Sequence, residues 1–189
     1  MQTVLFPRHL TAAEIEAGID HVLRSPHDRG ILHLIVQRPA VNERVVVTKG
    51  VLDCSQGLVG DSWGRRGSWF PRSRKPHPEM QLNIMNWRFA LLVAGEPERV
   101  LLAGDQLYVD LELGPDNLPP GTRLSIGSAV AEVTAPPHLG CGKFVKRFGR
   151  DAMKFANSDF GRLHNFRGVN AKVVAGGEIA VGDAVIKLA

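Results

Sequence analysis

Residues 168–188 have the sequence Gly-Val-Asn-Ala-Lys-Val-Val-Ala-Gly-Gly-Glu-Ile-Ala-Val-Gly-Asp-Ala-Val-Ile-Lys-Leu. This stretch contains three β-rich runs, Val169–Val174, Glu178–Val181 and Ala184–Leu188. The pairs Gly176-Gly177 and Gly182-Asp183 separate the runs, and such pairs are typical of tight turns. Short β-rich runs joined in this way form neighbouring antiparallel strands. The end of the chain therefore predicts a folded β-sheet.

The same pattern extends toward the N-terminus. Further runs of strand character are Ile31–Val36, Arg44–Thr48, Asn86–Val93, Arg99–Leu102, Gln106–Leu111, Arg123–Ile126 and Ala129–Thr134. Turns are indicated at Gly104-Asp105, Gly114-Pro115 and Pro119-Pro120-Gly121. Many short strands without helices between them are typical of a barrel or a folded sheet. We predict a mainly β protein, a closed or partly open antiparallel β-barrel.

An amphipathic helix precedes the first β-rich run. Thr11 and Glu14 form a capping-box pattern, and apolar residues then recur at helical spacing until Ser25-Pro26. The pattern predicts a helix over about 11–24. We expect residues 1–30 to be a helical extension of a barrel domain spanning residues 31–189.

Two stretches interrupt the strand pattern. Residues 61–79 are rich in Pro and Arg and have neither strand nor helix periodicity, so we expect a long loop. Residues 140–167 place Phe144, Phe148 and other apolar residues at helical spacing, with Gly149 between them. We expect short helices in this second stretch, divided at that glycine.

The net charge of +4 is unevenly distributed. Residues 62–78 and 143–172 together carry 13 positive and 2 negative side chains, a net of +11, which leaves −7 for the rest of the chain. Such separation indicates either an anionic partner or two solvated faces, and the sequence leaves both open. Whether the two basic segments meet in space is also open.

Several classes of protein are excluded or disfavoured. A chain of 189 residues with 44% hydrophobic residues is an ordinary globular domain, not a disordered segment. No apolar run is long enough to cross a bilayer, and the N-terminus lacks a signal-peptide pattern. With only two Cys a disulfide framework is impossible, so we expect a cytoplasmic protein without a membrane partner. No serine-hydrolase elbow or helical His-Glu-x-x-His motif is present.

Cys141 is the strongest candidate for chemistry. It lies between Gly140 and Gly142 where strand gives way to helix, and Lys143, Lys146 and Arg147 follow. Helix starts and nearby cations lower the pKa of a thiol, which favours nucleophilic or metal-ligand chemistry. The alternative is a small buried Cys whose glycines only turn the chain.

Cys54 lacks this basic setting, and we interpret it as structural. His138 and Cys141 have a spacing that could serve one metal ion, but zinc needs three or four ligands and no second pair is present. A nucleic-acid role could use the basic segments with Trp63, Trp69 and Phe70 as stacking platforms. No RNA-binding signature supports it, so we do not expect a nucleic-acid partner.

Most of the chain resembles the MOSC family, named for the C-terminal domain of molybdenum-cofactor sulfurases. The resemblance covers about residues 31–188. The residues that carry it are Gly57-Leu-Val-Gly-Asp61, Gln81-Leu-Asn-Ile-Met-Asn86, Cys141-Gly-Lys-Phe144, Gly168-Val-Asn-Ala-Lys-Val-Val174, Gly176-Gly-Glu178 and Val181-Gly-Asp183.

The resemblance implies a strand-rich barrel with an essential Cys, here Cys141. In similar proteins this Cys is proposed to carry sulfur as a persulfide received from a pyridoxal-phosphate-dependent desulfurase. In others it ligates molybdenum in a pterin cofactor, and the protein reduces N-hydroxylated compounds. Departures such as Ser62-Trp63 after Asp61, where many members have His or Arg, favour the first role.

The leading hypothesis is therefore a sulfur carrier with a persulfide on Cys141, assisted by Lys143 and with His138 orienting or moving a proton. Its expected partners are a cysteine desulfurase or another sulfur donor, which would hold the pyridoxal phosphate, and an acceptor of the sulfur or cofactor. The alternative is a molybdenum-cofactor-binding reductase with Cys141 as the metal ligand. The residues expected to bind an anionic cofactor are Asp61, Arg65, Arg66, Arg72, Arg74, Asn83, Lys146 and Arg147.

Overall fold

The computed structural model describes residues 8–67 and 74–188, and its centre is a closed seven-stranded β-barrel. The barrel strands are β1 (Arg29–Gln37), β5 (Leu82–Asn86), β6 (Leu107–Asp110), β7 (Arg123–Ile126), β8 (Ala129–Pro137), β9 (Val169–Ala175) and β11 (Ala184–Lys187). Their order around the barrel is β11-β7-β8-β9-β5-β6-β1, and β1 closes it by pairing with β11. The prediction of a mainly β barrel is confirmed.

The remaining strands lie beside the barrel. A short strand β2 (Val45–Val47) pairs with β1, and a second sheet joins β3 (Lys49–Asp53), β4 (Gly57–Leu58) and β10 (Gly177–Ala180). Within the barrel β5 and β6 run parallel, while the other pairs are antiparallel. A parallel pair needs a crossover connection, so helices must lie between β5 and β6.

The described part of the chain contains five α-helices, which pack outside the barrel. They are α1 (Ala12–Leu23), α2 (Trp87–Ala94), α3 (Pro97–Val100), α4 (Gly142–Asn157) and α5 (Asp159–Leu163). Single 3₁₀ turns occur at Trp63–Arg65, Pro78–Met80 and Leu101–Ala103. No helix in the described parts of the chain is long and apolar enough to span a membrane.

The described residues form two hydrophobic cores, one inside the barrel and one between the barrel and the helices. Leu107 and Val109 of β6 belong to the cluster that fills the barrel, whereas Tyr108 between them belongs to the cluster under the helices. Successive strand residues point to opposite faces, so β1, β5 and β6 contribute to both cores, whereas the buried apolar residues of the other barrel strands belong to the barrel cluster. The helical core includes Ile15 of α1, Phe89 of α2 and Phe144 of α4, and it seats these helices against the barrel wall.

The N-terminal helix and most strands agree with the sequence predictions. Helix α1 has the expected capping box, in which Thr11 and Glu14 each satisfy the other's backbone N–H. The expected strands Asn86–Val93 and Arg99–Leu102 are wrong. The Asn86 side chain accepts a hydrogen bond from the N–H of Phe89 and starts α2, and residues 97–103 are helical. These two helical pieces are the crossover between β5 and β6.

Helix α4 is divided at Gly149, as the sequence predicts. This residue has φ 93° and ψ 166°, which is outside the helical region. A positive φ of this kind is open to glycine and costly for other residues. The helix consequently consists of two arms, 142–148 and 150–157, that need not share an axis.

Candidate functional site

The buried carboxylate of Asp105 bonds to both His138 and Arg167. Asp105 is fully buried after Gly104, in the turn that leads into β6. Its Oδ1 lies 2.7 Å from Nε2 of His138, and Nη1 of Arg167 donates to both carboxylate oxygens at 2.9 and 2.8 Å. Burial alone would raise the pKa of Asp105, but the Arg167 guanidinium and His138 outweigh it and hold the pKa below its usual value. Asp105 is therefore ionised.

His138 is held in its neutral form. Burial lowers the pKa of its imidazole, and the positive charge of Arg167 lowers it further, although Asp105 opposes both. Because the ionised Asp105 can only accept, the ring proton lies on Nε2 and Nδ1 keeps its lone pair. The result is an oriented imidazole at the end of the strand that leads to Cys141.

Cys141 lies on the surface between two anchored residues. His138, three positions earlier, bonds to Asp105, and the Phe144 ring, three positions later, lies 5.1 Å from the guanidinium carbon of Arg167. The thiol itself is free and exposed at the N-cap of α4. The alternative of a small buried Cys is thereby wrong. Three residues span at most about 11 Å, so the Cα atom of Cys141 lies within that distance of the Cα atom of His138.

A second buried ion pair, Arg38 with Asp61, contacts the carbonyl of Gly104. Arg38, at the end of β1, donates through Nε and Nη2 to the two oxygens of Asp61, at 2.8 and 3.1 Å. Its Nη1 donates to Oδ1 of Asn83 and to the carbonyl of Gly104, each at 2.8 Å. Asn83 in turn donates to Asn170 at 2.7 Å. Asp61 and Asn83, both expected in the site, therefore orient Arg38.

Four arginines converge around Gly104. They are Arg38, Arg44, Arg66 and Arg147, and we call them the arginine cluster. A Cβ on Gly104 would lie 3.2 Å from Nη2 of Arg44 and 3.5 Å from Nη1 of Arg147. Arg66 donates to Oδ1 of Asp61 at 3.2 Å. In the described parts of the chain, Asp61 is the only acid that forms an ion pair with any member of the cluster.

The members of the cluster repel one another. Burial lowers the pKa of Arg44, and the charges of Arg147 and Arg38 lower it further. The pKa of Arg66 is lowered first by burial and then by Arg38. The Nε atom of Arg44 is buried without a hydrogen-bond partner. Excess positive charge and an unsatisfied hydrogen-bond donor are features of anion-binding sites.

The arginine cluster contains one residue from each of the two basic segments. Arg66 comes from the first segment and Arg147 from the second, and each interacts electrostatically with Arg44 or its neighbours. Arg147 reaches the carbonyl of Leu102 at 2.6 Å, beside Gly104. The two segments therefore meet at one site.

Other expected site residues lie outside the cluster. Lys143 and Lys146 are exposed on the first arm of α4 and form no ion pair with any described residue. Arg65 donates to the carbonyl of Pro39, and Arg74 is exposed. Arg72, together with Trp69 and Phe70, lies outside the described residues.

Cys54 occupies an exposed turn and forms no disulfide. Within residues 8–67 and 74–188 no group of three or more His, Cys, Asp or Glu side chains could hold a metal ion.

Sequence reasoning missed Arg38, Arg44, Asp105 and Arg167 as site residues. Asp105 had the pattern of an ordinary turn, and Arg38 and Arg44 lie outside the two basic segments. Only Arg167 carried a signal, because it belongs to the second basic segment. The others come together through the barrel and have no local motif.

The closed barrel and its flanking helices define a MOSC-like fold. Among solved structures, the chain is similar to the YuaD protein from Bacillus subtilis at 16% identity, with a TM-score of 0.58 over 83% of this chain and 94% of that one. It is also similar to YiiM from Escherichia coli at 20% identity, with a TM-score of 0.53 over 84% and 70%. No family model and no curated protein matches the sequence. At these identities the likeness shows the fold.

Proposed function

We propose that this protein binds an anionic molybdenum–pterin cofactor, with the cofactor's phosphate at the arginine cluster and its metal at Cys141, and that it reduces N-hydroxylated compounds. The observation that carries this proposal is the convergence of four arginines beside the segment that bears the exposed Cys141, with Asp61 as their one carboxylate partner among the residues that the structure describes. A phosphate carries more negative charge than a persulfide sulfur and accepts paired hydrogen bonds from guanidinium groups, so the cluster favours the cofactor over the sulfur carrier.

The residues present fit a phosphate-bearing group. Guanidinium groups match the geometry of phosphate oxygens, and an anion would relieve the repulsion that acts on Arg44 and Arg66. Because Gly104 has no Cβ, the space beside the terminal nitrogens of Arg44 and Arg147 is not filled by a side chain at this position. Arg38, Arg44, Arg66 and Arg147 are the residues that would hold the phosphate.

Cys141 would supply the sulfur ligand, since thiolates are suitable ligands for soft metals. When bound, the cofactor would supply the two electrons that convert R–NHOH and two protons into R–NH₂ and water. The electrons would come from an external reductant. His138, held neutral and oriented by Asp105, is suited to moving one of the protons.

Metal analysis tests this proposal. Protein purified from a host that makes the cofactor should contain stoichiometric molybdenum and pterin. Cys141→Ser should lose molybdenum, and the double variant Arg44→Met, Arg147→Met should lose both molybdenum and pterin. Wild-type protein without molybdenum would overturn the proposal.

The exposure of Cys141 favours a second candidate, the persulfide carrier. The Cys141 thiolate would attack the outer sulfur of a persulfide on a desulfurase, whose own S–S bond breaks and whose thiolate leaves, so no net oxidation occurs. Incubation with a cysteine desulfurase and cysteine should then add about 32 Da, the mass of one sulfur atom, to the wild type. No adduct on the wild type, or the same adduct on Cys141→Ser, would overturn this candidate.

A further inference from the structure

The two arms of α4 fold back on each other. A straight helix from residue 142 to residue 157 would be about 22 Å long at 1.5 Å per residue. Asn157, the last residue of α4, nevertheless lies against Gly140, which precedes the helix. The left-handed backbone at Gly149 makes this reversal possible.

The Asn157 side chain holds both polar groups of Gly140. Its Oδ1 accepts from the Gly140 N–H at 2.8 Å, and its Nδ2 donates to the Gly140 carbonyl at 3.0 Å. That carbonyl belongs to the peptide bond joining Gly140 to Cys141. The fit is close, because a Cβ on Gly140 would lie 3.1 Å from Cγ of Met153 and 3.2 Å from Oδ1 of Asn157.

The backbone of Cys141 is thereby held on both sides. On the N-terminal side its peptide is fixed by Asn157, and on the C-terminal side its carbonyl accepts from the N–H of Val145 at 3.1 Å. Cys141 is nevertheless exposed to solvent. A reactive group needs a supported backbone if it is to stay within a fraction of an ångström of its working position.

We propose that Asn157 is a positioning residue for Cys141. The proposal rests on the proposed function in one respect, namely that Cys141 is the working sulfur. An amide is the side chain that suits this place, because it donates and accepts at once. An Asp could accept from Gly140 N–H, but it would set a carboxylate oxygen against the Gly140 carbonyl.

Spin labelling gives a direct test. In a Cys54→Ser background, a nitroxide on Cys141 reports the mobility of its backbone. Asn157→Leu should shorten the rotational correlation time of the label by about twofold or more, a change on the nanosecond scale. Asn157→Asp, which keeps one hydrogen bond, should give an intermediate value. Met153→Leu removes the weak contact of Met153 Sδ with Asn157 Nδ2 at 3.4 Å but leaves both hydrogen bonds to Gly140, so it should match the parent protein.

The same variants, unlabelled and in the Cys54→Ser background, are then tested for loading. One sample is purified from a host that makes the molybdenum cofactor, and another is incubated with a cysteine desulfurase and cysteine. Asn157→Leu should lose most of the molybdenum or transferred sulfur that the parent retains, while circular dichroism shows an intact fold. Unchanged label mobility in Asn157→Leu, or loading equal to the parent's, would overturn the positioning role. A parent protein that takes up neither molybdenum nor sulfur would refute the proposed function, and the label mobilities would still decide whether Asn157 holds Cys141.

Discussion

Arg44 and Arg147 approach each other across Gly104, where the two arginines lie within 3.2 and 3.5 Å of the position that a Cβ would occupy. Neither has a carboxylate partner among the described residues. Two guanidinium groups that face the same gap repel each other unless an anion lies between them, so this pair marks the centre of the proposed phosphate site.

Gly104→Ala, compared with a control glycine, should show whether Gly104 is needed only for its positive φ or also for the space that it leaves between Arg44 and Arg147. Gly104 has φ 93°, and a non-glycine residue there costs about 1–2 kcal/mol. The new Cβ would also push on Arg44 and Arg147. The matched control is Gly121→Ala, because Gly121 has φ 96° but open space around it. Chemical denaturation should show similar losses for both variants, whereas only Gly104→Ala should lose cofactor. Equal cofactor content would contradict the proposed role of the gap.

Arg44→Met should stabilise the protein while it weakens binding. Burial and the charges of Arg147 and Arg38 lower the pKa of Arg44, which means that the folded state disfavours its charge. Removal of the charge should raise the free energy of unfolding by a few tenths to about 1 kcal/mol, as is common at functional sites. Arg65→Met, on an exposed arginine outside the cluster, should change neither stability nor cofactor content. Loss of stability in Arg44→Met would show that Arg44 has a structural role.

Asp105→Asn should be strongly destabilising, because it leaves the Arg167 guanidinium buried without a counter-charge. The loss is on the order of 3–5 kcal/mol. The pKa of Asp105 is lower in the folded than in the unfolded state. Its ionised form therefore stabilises the fold above the unfolded value of about 4, and this contribution is lost as the pH falls further. Denaturation between pH 7 and pH 3 should show a shallower acid loss for Asp105→Asn than for the wild type.

His138 should make the free energy of unfolding depend on pH in a second range, above that of Asp105. Burial and Arg167 lower its pKa in the folded state, so the unfolded chain binds the proton more readily. Stability should decrease as the pH falls through the ordinary histidine value of about 6.5. His138→Gln should flatten the stability profile between pH 7 and pH 5. A profile identical to that of the wild type would contradict the neutral state assigned to His138.

The two cysteines should respond oppositely to salt. Cys141 is followed by Lys143 and Lys146, which have no ion pair among the described residues, whereas Cys54 adjoins Asp53. Hydrogen bonds from Ser55 lower the pKa of Asp53, which is thus ionised at neutral pH. With a dianionic disulfide reagent, Cys141 in a Cys54→Ser protein should react faster at low salt. Cys54 in a Cys141→Ser protein should react faster at high salt, since screening weakens both effects. A neutral disulfide should show little salt dependence, and the same trend at both thiols would contradict the prediction.

Local chemistry accounts for what could be predicted. The capping box of α1, the turns near the C-terminus and the division at Gly149 each depend on residues a few positions apart. The same kind of reasoning failed at Asn86, where an apolar run looked like a strand until the side-chain cap turned it into α2. Short apolar runs are ambiguous between strand and helix, and burial on the helix face decided this one.

By itself the sequence determined the class of fold and the excess of positive charge in two segments, and it predicted Cys141 as the centre of a site. Only the tertiary structure decided which charges act together. Closure of the barrel brings Arg38, Asp61 and Asn83 to one place, and it places Arg147 of α4 against Arg44. It also returns Asn157 to Gly140 through the bend in α4. These contacts join residues far apart in the chain, and their energy depends on burial and distance, which no local pattern of residues encodes.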